Sequence, residues 1–282
     1  MSVIDKLLQG AIDMHIHSGP DGGVARRLDA LQIALQAQEA GMRAVVLKSH
    51  EYPTAPVAYL ANQIVPDFTI IGSIVLNLEI GGLNARAVKT SAKLGARVVW
   101  MPTFSAAKDV KEHGWSGEGV SLIDGEGKLL PEVDEILGII KDYRMVLATG
   151  HISAPEIFAL VDRAKEKGLS KIIITHPLLE NLGAHLSLED QRRMVEKGAF
   201  IEHCFVITMP LTGRLDPMKL VEAVRVVGAE HCILSTDFGQ DYNAMPAEGM
   251  RMLIATMLQC GLSEREIELT VKVNPAKLLD LD

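Results

Sequence analysis

Two histidines stand one residue apart at the end of an apolar run, Ala11-Ile12-Asp13-Met14-His15-Ile16-His17. Imidazole is a common metal ligand. In a β-strand, residues i and i+2 share a face. His15 and His17 are therefore expected side by side, as half of a metal site. The other half is available further along. His151, His176 and Asp237 each follow a short apolar run, as do Lys48, His50 and the pair Glu202-His203. Chance placement would scatter the histidines rather than set His15, His17, His50, His151, His176 and His203 at the ends of such runs. Histidines with one carboxylate suit zinc, and also iron, manganese or nickel. A catalytic ion keeps a position for water and lowers its pKa towards about 7. On this reading Asp237 binds or orients the water and takes its proton. His176 is either a ligand or the group that faces the substrate and polarises its carbonyl.

Such residues need a scaffold that gathers distant strand ends. Short apolar runs predict strands near residues 11–16, 43–48, 69–76, 97–101, 145–149, 171–175, 199–202 and 231–235. Helical spacing predicts helices near 27–40, 55–64, 83–94, 131–141, 155–167, 188–197, 216–227 and 247–259, and a last one over about 263–279. Eight strand–helix units in an α/β chain argue for a (β/α)8 TIM barrel, one domain spanning residues 1–282. An insertion after strand four, residues 102–130, and a C-terminal helix complete it. The insertion holds a hairpin-like turn, Ile123 to Leu129, and is expected to form a lid or pocket wall. A doubly wound open sheet is the rival, but its Gly-x-Gly-x-x-Gly turn is missing after the first strand. In a barrel all C-terminal strand ends meet at one mouth, where active sites sit.

Composition narrows the function classes. The 282 residues are 48% hydrophobic with a net charge of -8, and no Lys/Arg cluster offers a footprint for nucleic acid or an anionic membrane. Cys204, Cys232 and Cys260 are too widely spaced for a disulfide framework or a Cys-x-x-Cys site, which fits a reducing cytoplasm. The N-terminus lacks the features of a signal peptide, and no apolar run approaches the roughly 18 residues of a membrane span. The expected partner is a small molecule. Helices on the outside would also allow a homo-oligomer.

The same residues carry a resemblance. Asp13-Met14-His15-Ile16-His17, Thr149-Gly150-His151, Thr175-His176-Pro177, Ser235-Thr236-Asp237 and the closing Asn274-Pro275-Ala276-Lys277-Leu278-Leu279 occur in an order and spacing similar to the amidohydrolase superfamily of metal-dependent hydrolases. The resemblance is strongest to an uncharacterised amidohydrolase-like branch. It implies that His15 and His17 bind the more buried metal with Asp237, which is also the general base. His151 and His176 bind a second metal or are divided between metal and substrate. One departure is clear. Many binuclear members have a carbamylated Lys or a Glu at the end of strand four, where this chain reads Val99-Trp100-Met101-Pro102-Thr103. Lys48, on strand two, is a candidate replacement bridge, alternatively a substrate-anion partner or a mouth ion pair.

The expected ligand set is therefore His15, His17, Lys48, His151, His176 and Asp237, for one or two divalent ions, zinc foremost. His50 is a candidate substrate contact. Of Glu202 and His203 only one can face inward, and His203 is expected to, sharing parity with Ile201. Tyr52, Arg26 and Arg27 lie on loops that could meet substrate. His113, His185 and His231 read as structural or surface residues, and Cys204 as a buried apolar thiol rather than a nucleophile. The leading function is a metal-dependent hydrolase using metal-activated water on an amide, cyclic amide or lactone. A phosphoesterase, a decarboxylase and a non-catalytic metal- or ligand-binding barrel are the alternatives.

Overall fold

The computed structural model describes residues 1–281. Its strands are β1 (Ile12–His17), β2 (Ala44–Lys48), β3 (Thr69–Ile71), β4 (Ser73–Val75), β5 (Val98–Trp100), β6 (Val146–Ala148), β7 (Ile172–Ile174), β8 (Phe200–Cys204) and β9 (Cys232–Ser235). Neighbours in sequence pair in parallel, from β1 to β3 and again from β4 to β9. β3 and β4 are the expected third strand, interrupted at Gly72. There helix α3 (Ala55–Ile64) comes so close that a Cβ on Gly72 would lie 2.4 Å from Ala55 Cα. Side chains bridge the gap in the ladder. The Thr54 hydroxyl accepts from Ser73 N at 2.8 Å and donates to Leu47 O at 2.8 Å, and Ser73 Oγ donates to Leu47 O at 2.6 Å. The buried backbone thus keeps its partners without a continuous strand.

The ends of the sheet also meet. Ile16 bridges Phe238 in parallel, Asp237 N donates to His15 O at 2.8 Å, and His17 N donates to Phe238 O at 2.8 Å. These bonds join the segment after β9 to β1, so the parallel sheet closes into the expected barrel.

Both faces of every strand are covered. Met14, Val46, Val75, Val98, Trp100, Ile173 and Phe200 fill the barrel interior. Val45, Leu47, Val99, Leu147, Ile172, Ile174 and Ile201 belong to the layer shared with the helices. Strands buried on both faces read as near-continuous apolar runs rather than alternating ones, as in Ala44-Val45-Val46-Leu47.

The remaining helices are α1 (Val3–Leu8), α2 (Ala30–Glu39), α4 (Ala85–Lys93), α5 (Ala107–His113), α6 (Pro131–Asp142), α7 (Ala154–Glu166), α8 (Leu188–Glu196), α9 (Pro217–Val227), α10 (Pro246–Gln259), α11 (Glu264–Glu268) and α12 (Asn274–Leu278). Helix α2 starts later than its apolar spacing suggests, because Asp29 caps it reciprocally with Gln32. The expected last helix is α11, a π-helical turn over Leu269–Val273, and α12. Ala276, Leu278 and Leu279 close the floor of the barrel, and Asn274 Nδ2 donates to Ala229 O and Cys232 O at 2.9 and 2.7 Å. Two helices escape the sequence pattern. α1 is six residues with a Ser2–Asp5 capping box, and α5 lies inside the insertion. The expected hairpin turn in that insertion is present as an antiparallel bridge between Ile123 and Leu129. Among the described residues, no helix is long and apolar enough to cross a membrane.

Candidate metal centre

β1 does not alternate strictly. Its register against β2 shifts between Asp13 and Ile16. Ile12 and Met14 point into the barrel, whereas Ile16 belongs to the outer layer. The irregularity lets His15 follow Met14 inward, and His17 follows His15, the re-aiming that bulges beside functional sites provide. The two rings lie 5.4 Å apart.

Asp237 comes to meet them from the segment after β9, in a left-handed backbone conformation with φ 55°. The buried Asp13 fixes that segment, accepting from Thr236 Oγ1 at 2.5 Å and Thr236 N at 3.0 Å. Burial and the neighbouring Glu202 charge outweigh these bonds and push the Asp13 carboxyl up to about 7. Asp237 Oδ1 lies 3.2 Å from His15 Nε2 and 3.1 Å from His17 Nε2. One ligand atom from each of the three residues lies within 4.8 Å of the others.

Lys48, at the inward-facing end of β2, lies flat on Trp100, its Nζ 4.7 Å from the ring centroid and 2.9 Å from His15 Nε2. Trp100 is the last residue of β5. On its other side the His15 ring faces Glu202, with Nδ1 3.3 Å from Oε2. A His15 tautomer with its proton on Nδ1 satisfies both contacts, its Nε2 lone pair then facing Lys48 and Asp237. Glu202 is held in turn by Ser235 Oγ at 2.9 Å.

A second group completes the mouth. His151 Nδ1 lies 2.8 Å from Oδ2 of the fully buried Asp109 on α5, whose Oδ1 accepts from Gly183 N at 2.9 Å. The His151 and His176 rings are 4.9 Å apart, edge to face. His176 also has a left-handed backbone, φ 25°, which aims its ring inward. His50 stacks between His17 and Phe104, at 4.7 and 4.2 Å, and its Nδ1 is 2.8 Å from Thr103 Oγ1. Asn77 holds that threonine, accepting from Thr103 N at 2.7 Å.

Burial sets the charge state of this cluster. It lowers the pKa of His15 to about 3 against the pull of Asp237, and holds those of His17, His50, His151 and His176 below the usual value. The rings are neutral near pH 7, the form that binds metal. Burial opposes ionisation of Asp237 too, but His15, Lys48 and His176 reverse it and keep the carboxyl below its ordinary range. Lys48 is pushed down by desolvation despite Asp237 and Glu202, and Glu202 is pushed up by its own burial.

A cavity of about 130 Å³ opens beside these groups, and His17, Arg26, Lys48, His151, His176 and Asp237 are among its lining. The residues fit a divalent ion. Donor atoms about 2.0–2.2 Å from one ion sit about 3–3.5 Å apart, the spacing found between Asp237 Oδ1 and the two Nε2 atoms. Buried His17 Nδ1 and His176 Nδ1 have no partner among the described residues.

The sequence-predicted residues thus divide. His15, His17, Lys48 and Asp237 converge, and His50, His151 and His176 line the same cavity. His203 does not. It points outward with Ile201, its ring nitrogens are both buried without partners among the described residues, and Glu202 is the inward member of the pair. The expectation fails because each face of β8 carries an apolar residue beside a polar one, Phe200 with Glu202 and Ile201 with His203, so parity alone does not say which face is the interior. Tyr52 hydrogen-bonds Pro20 O at 3.1 Å, and Arg27 reaches the Asp241 carbonyl at the surface. Cys204 is buried, 3.5 Å from His15 Nδ1. His113 bonds Asn181 O at 2.6 Å and stacks on Trp115. Asp109 was not foreseen. Nothing in Ala107-Lys108-Asp109-Val110 marks it, since its partner is 42 residues away.

Comparison with solved structures places the fold. An amidohydrolase from Pseudomonas aeruginosa superposes with a TM-score of 0.70 at 13% identity, covering 99% of this chain and 98% of that one. The probable dipeptidase PvdM of the same organism gives 0.68 at 12%, covering 98% and 96%. A 2,6-dihydroxybenzoate decarboxylase from Rhizobium gives 0.57 at 14%, covering 97% and 99%. The fold is the one these three proteins share. No curated protein matches the sequence. A family model, described as a family of unknown function (DUF6282), matches residues 10–202, from the start of β1 into β8, and the chain belongs to that family.

Proposed function

We propose that the protein is a metal-dependent hydrolase of a small amide, cyclic amide or lactone. The observation that carries this is the convergence of His15 Nε2, His17 Nε2 and Asp237 Oδ1, with His17 and Asp237 lining the cavity. These three residues would hold a divalent ion such as zinc, with His151 and His176 able to hold a second. When bound, such an ion polarises a carbonyl and makes water acidic enough to attack near pH 7.

The chain's own groups do the remaining work. Asp237, held ionised, accepts the proton of the attacking water and passes it to the leaving atom. Glu202 and Asp109 hold the rings of His15 and His151 in one tautomer, a role of groups behind metal-binding histidines. His176 and Lys48 stand on the cavity wall, where they stabilise negative charge that develops on the substrate oxygen. The insertion supplies Phe104 and Asp109, so it forms wall as well as cover.

Trp100 supports one further reading. With no ligand from β5, a single ion is the simpler occupancy. A single-metal site suits decarboxylation as well, and a decarboxylase is among the structures of this fold. The test is elemental analysis of the purified protein, followed by assays on amides, cyclic amides, lactones, phosphomonoesters and aromatic acids. Hydrolysis of a carbonyl substrate that falls at least 1000-fold in Asp237→Asn is the expected result. Bound metal with no turnover of any class by either form would favour a binding protein.

A further inference from the structure

The cavity holds a second cation besides Lys48, and catalysis as described does not use it. Arg26, on the loop after β1, lines the cavity with its side chain only 3% exposed. A loop arginine ordinarily extends into water, and burying its charge is costly unless it is paired and hydrogen-bonded. The loop is built to hold it. Arg26 Nε and Nη2 both donate to Asp21 Oδ2, at 2.7 and 2.6 Å. Asp21 Oδ1 accepts from Gly23 N and Val24 N at 3.0 and 2.8 Å. The backbone is tied to the segment after β9 by a bridge from Arg26 to Gln240 and by Arg27 N donating to Gly239 O at 2.9 Å. Nη1 has no hydrogen-bond partner among the described residues.

The result is a buried, oriented guanidinium with donors left over. The surrounding wall is largely apolar and includes Phe104, Leu179, Leu182 and Val206. A planar fork of donors matches a carboxylate better than a neutral carbonyl does. The cavity measures about 130 Å³, a little less than the roughly 150 Å³ that encloses benzene, so a ring-sized ligand fills it and extends into the mouth. We propose that the protein takes a small monocarboxylate whose anionic end rests on the free edge of Arg26. Its apolar body, one ring or a short chain, lies against Phe104, Leu182 and Val206. The inference rests on the hydrolase reading only for the fate of the bond presented to Asp237.

Binding of benzoate and of benzamide, two probes of one shape, tests this by calorimetry on the protein as purified. Benzoate is expected to bind at least tenfold more tightly than benzamide. In Arg26→Met that preference is expected to fall to within twofold, and in Arg26→Lys, which keeps the charge but not the fork, to an intermediate value. Far-ultraviolet circular dichroism and a thermal melt establish that each variant is folded. Equal binding of the probes by the wild type overturns the proposal. So does a preference that survives in Arg26→Met, which would assign the anion to Lys48 or to a bound metal. If both substitutions unfold the chain, Asp21→Asn serves in their place. It leaves the guanidinium charged but loosely held, and an unchanged preference there equally counts against an oriented site. An intact, Arg26-dependent preference without any hydrolysis would refute the hydrolase reading and leave this inference standing.

Discussion

Asp109→Asn is the most discriminating single change in this site. The carboxylate is fully buried and accepts two hydrogen bonds, from His151 Nδ1 at 2.8 Å and Gly183 N at 2.9 Å. An asparagine of the same shape has one acceptor and one donor end. If its oxygen keeps Gly183 N–H, its NH2 faces His151 Nδ1 and requires a lone pair there. The proton then moves to Nε2, and His151 loses the lone pair that a metal or a substrate proton would need. A hydrogen bond to a charged group contributes about 1.5–3 kcal/mol, and the amide recovers part of one of the two. A loss of roughly 1–3 kcal/mol follows, or about 2–12 °C in Tm at about 2–4 °C per kcal/mol for a large domain. Loss of such a supporting partner typically costs about 10–100-fold in metal affinity or activity. The tautomer can be read directly from the nitrogen-15 shifts of the His151 ring. An unchanged Nδ1–H tautomer together with an unaltered Tm would refute the reasoning. It would mean that Asp109 merely caps the insertion.

Lys48→Ala separates the roles open to that residue. If Lys48 bridges two ions, the metal content per chain falls by one, whereas an unchanged two-metal stoichiometry removes the bridge and leaves Lys48 as a partner for substrate charge. His203 predicts an acid-sensitive stability. Burial lowers its pKa from 6.5 to about 4, so the unfolded chain binds the proton first. Its contribution is present above pH 6.5 and is lost as pH falls towards 4, by up to about 3 kcal/mol at about 1.4 kcal/mol per unit. His203→Leu removes two unpartnered nitrogens and is expected to leave stability at pH 7 equal or higher. It should also flatten the acid limb of a denaturation series. A limb of unchanged steepness would assign it to other groups.

Strand order and the identity of most cavity-facing residues follow from local chemistry. Short apolar runs bounded by turns mark the strands, including the third despite its break at Gly72. Placing polar groups at the C-terminal ends of those runs singles out His15, His17, Lys48, His50, His151, His176 and Asp237, because a barrel gathers such ends at one mouth. Glu202 and His203 show where local chemistry stops. Each face of β8 pairs an apolar residue with a polar one, and only the closed barrel defines which face is inside, so the inward group is Glu202 behind His15 and not the histidine. Even the inward aim of His15 depends on the irregular register between β1 and β2, which no residue type announces. Asp109 and Trp100 were decided wholly by tertiary structure. One reaches His151 from a helix hidden in the insertion, and the other lies under Lys48 where a metal ligand was sought. The sequence by itself determined which side chains can bind a metal and that their strand ends converge. The folded chain decided which carboxylates orient them, because those contacts join residues far apart whose neighbours give no periodic signal.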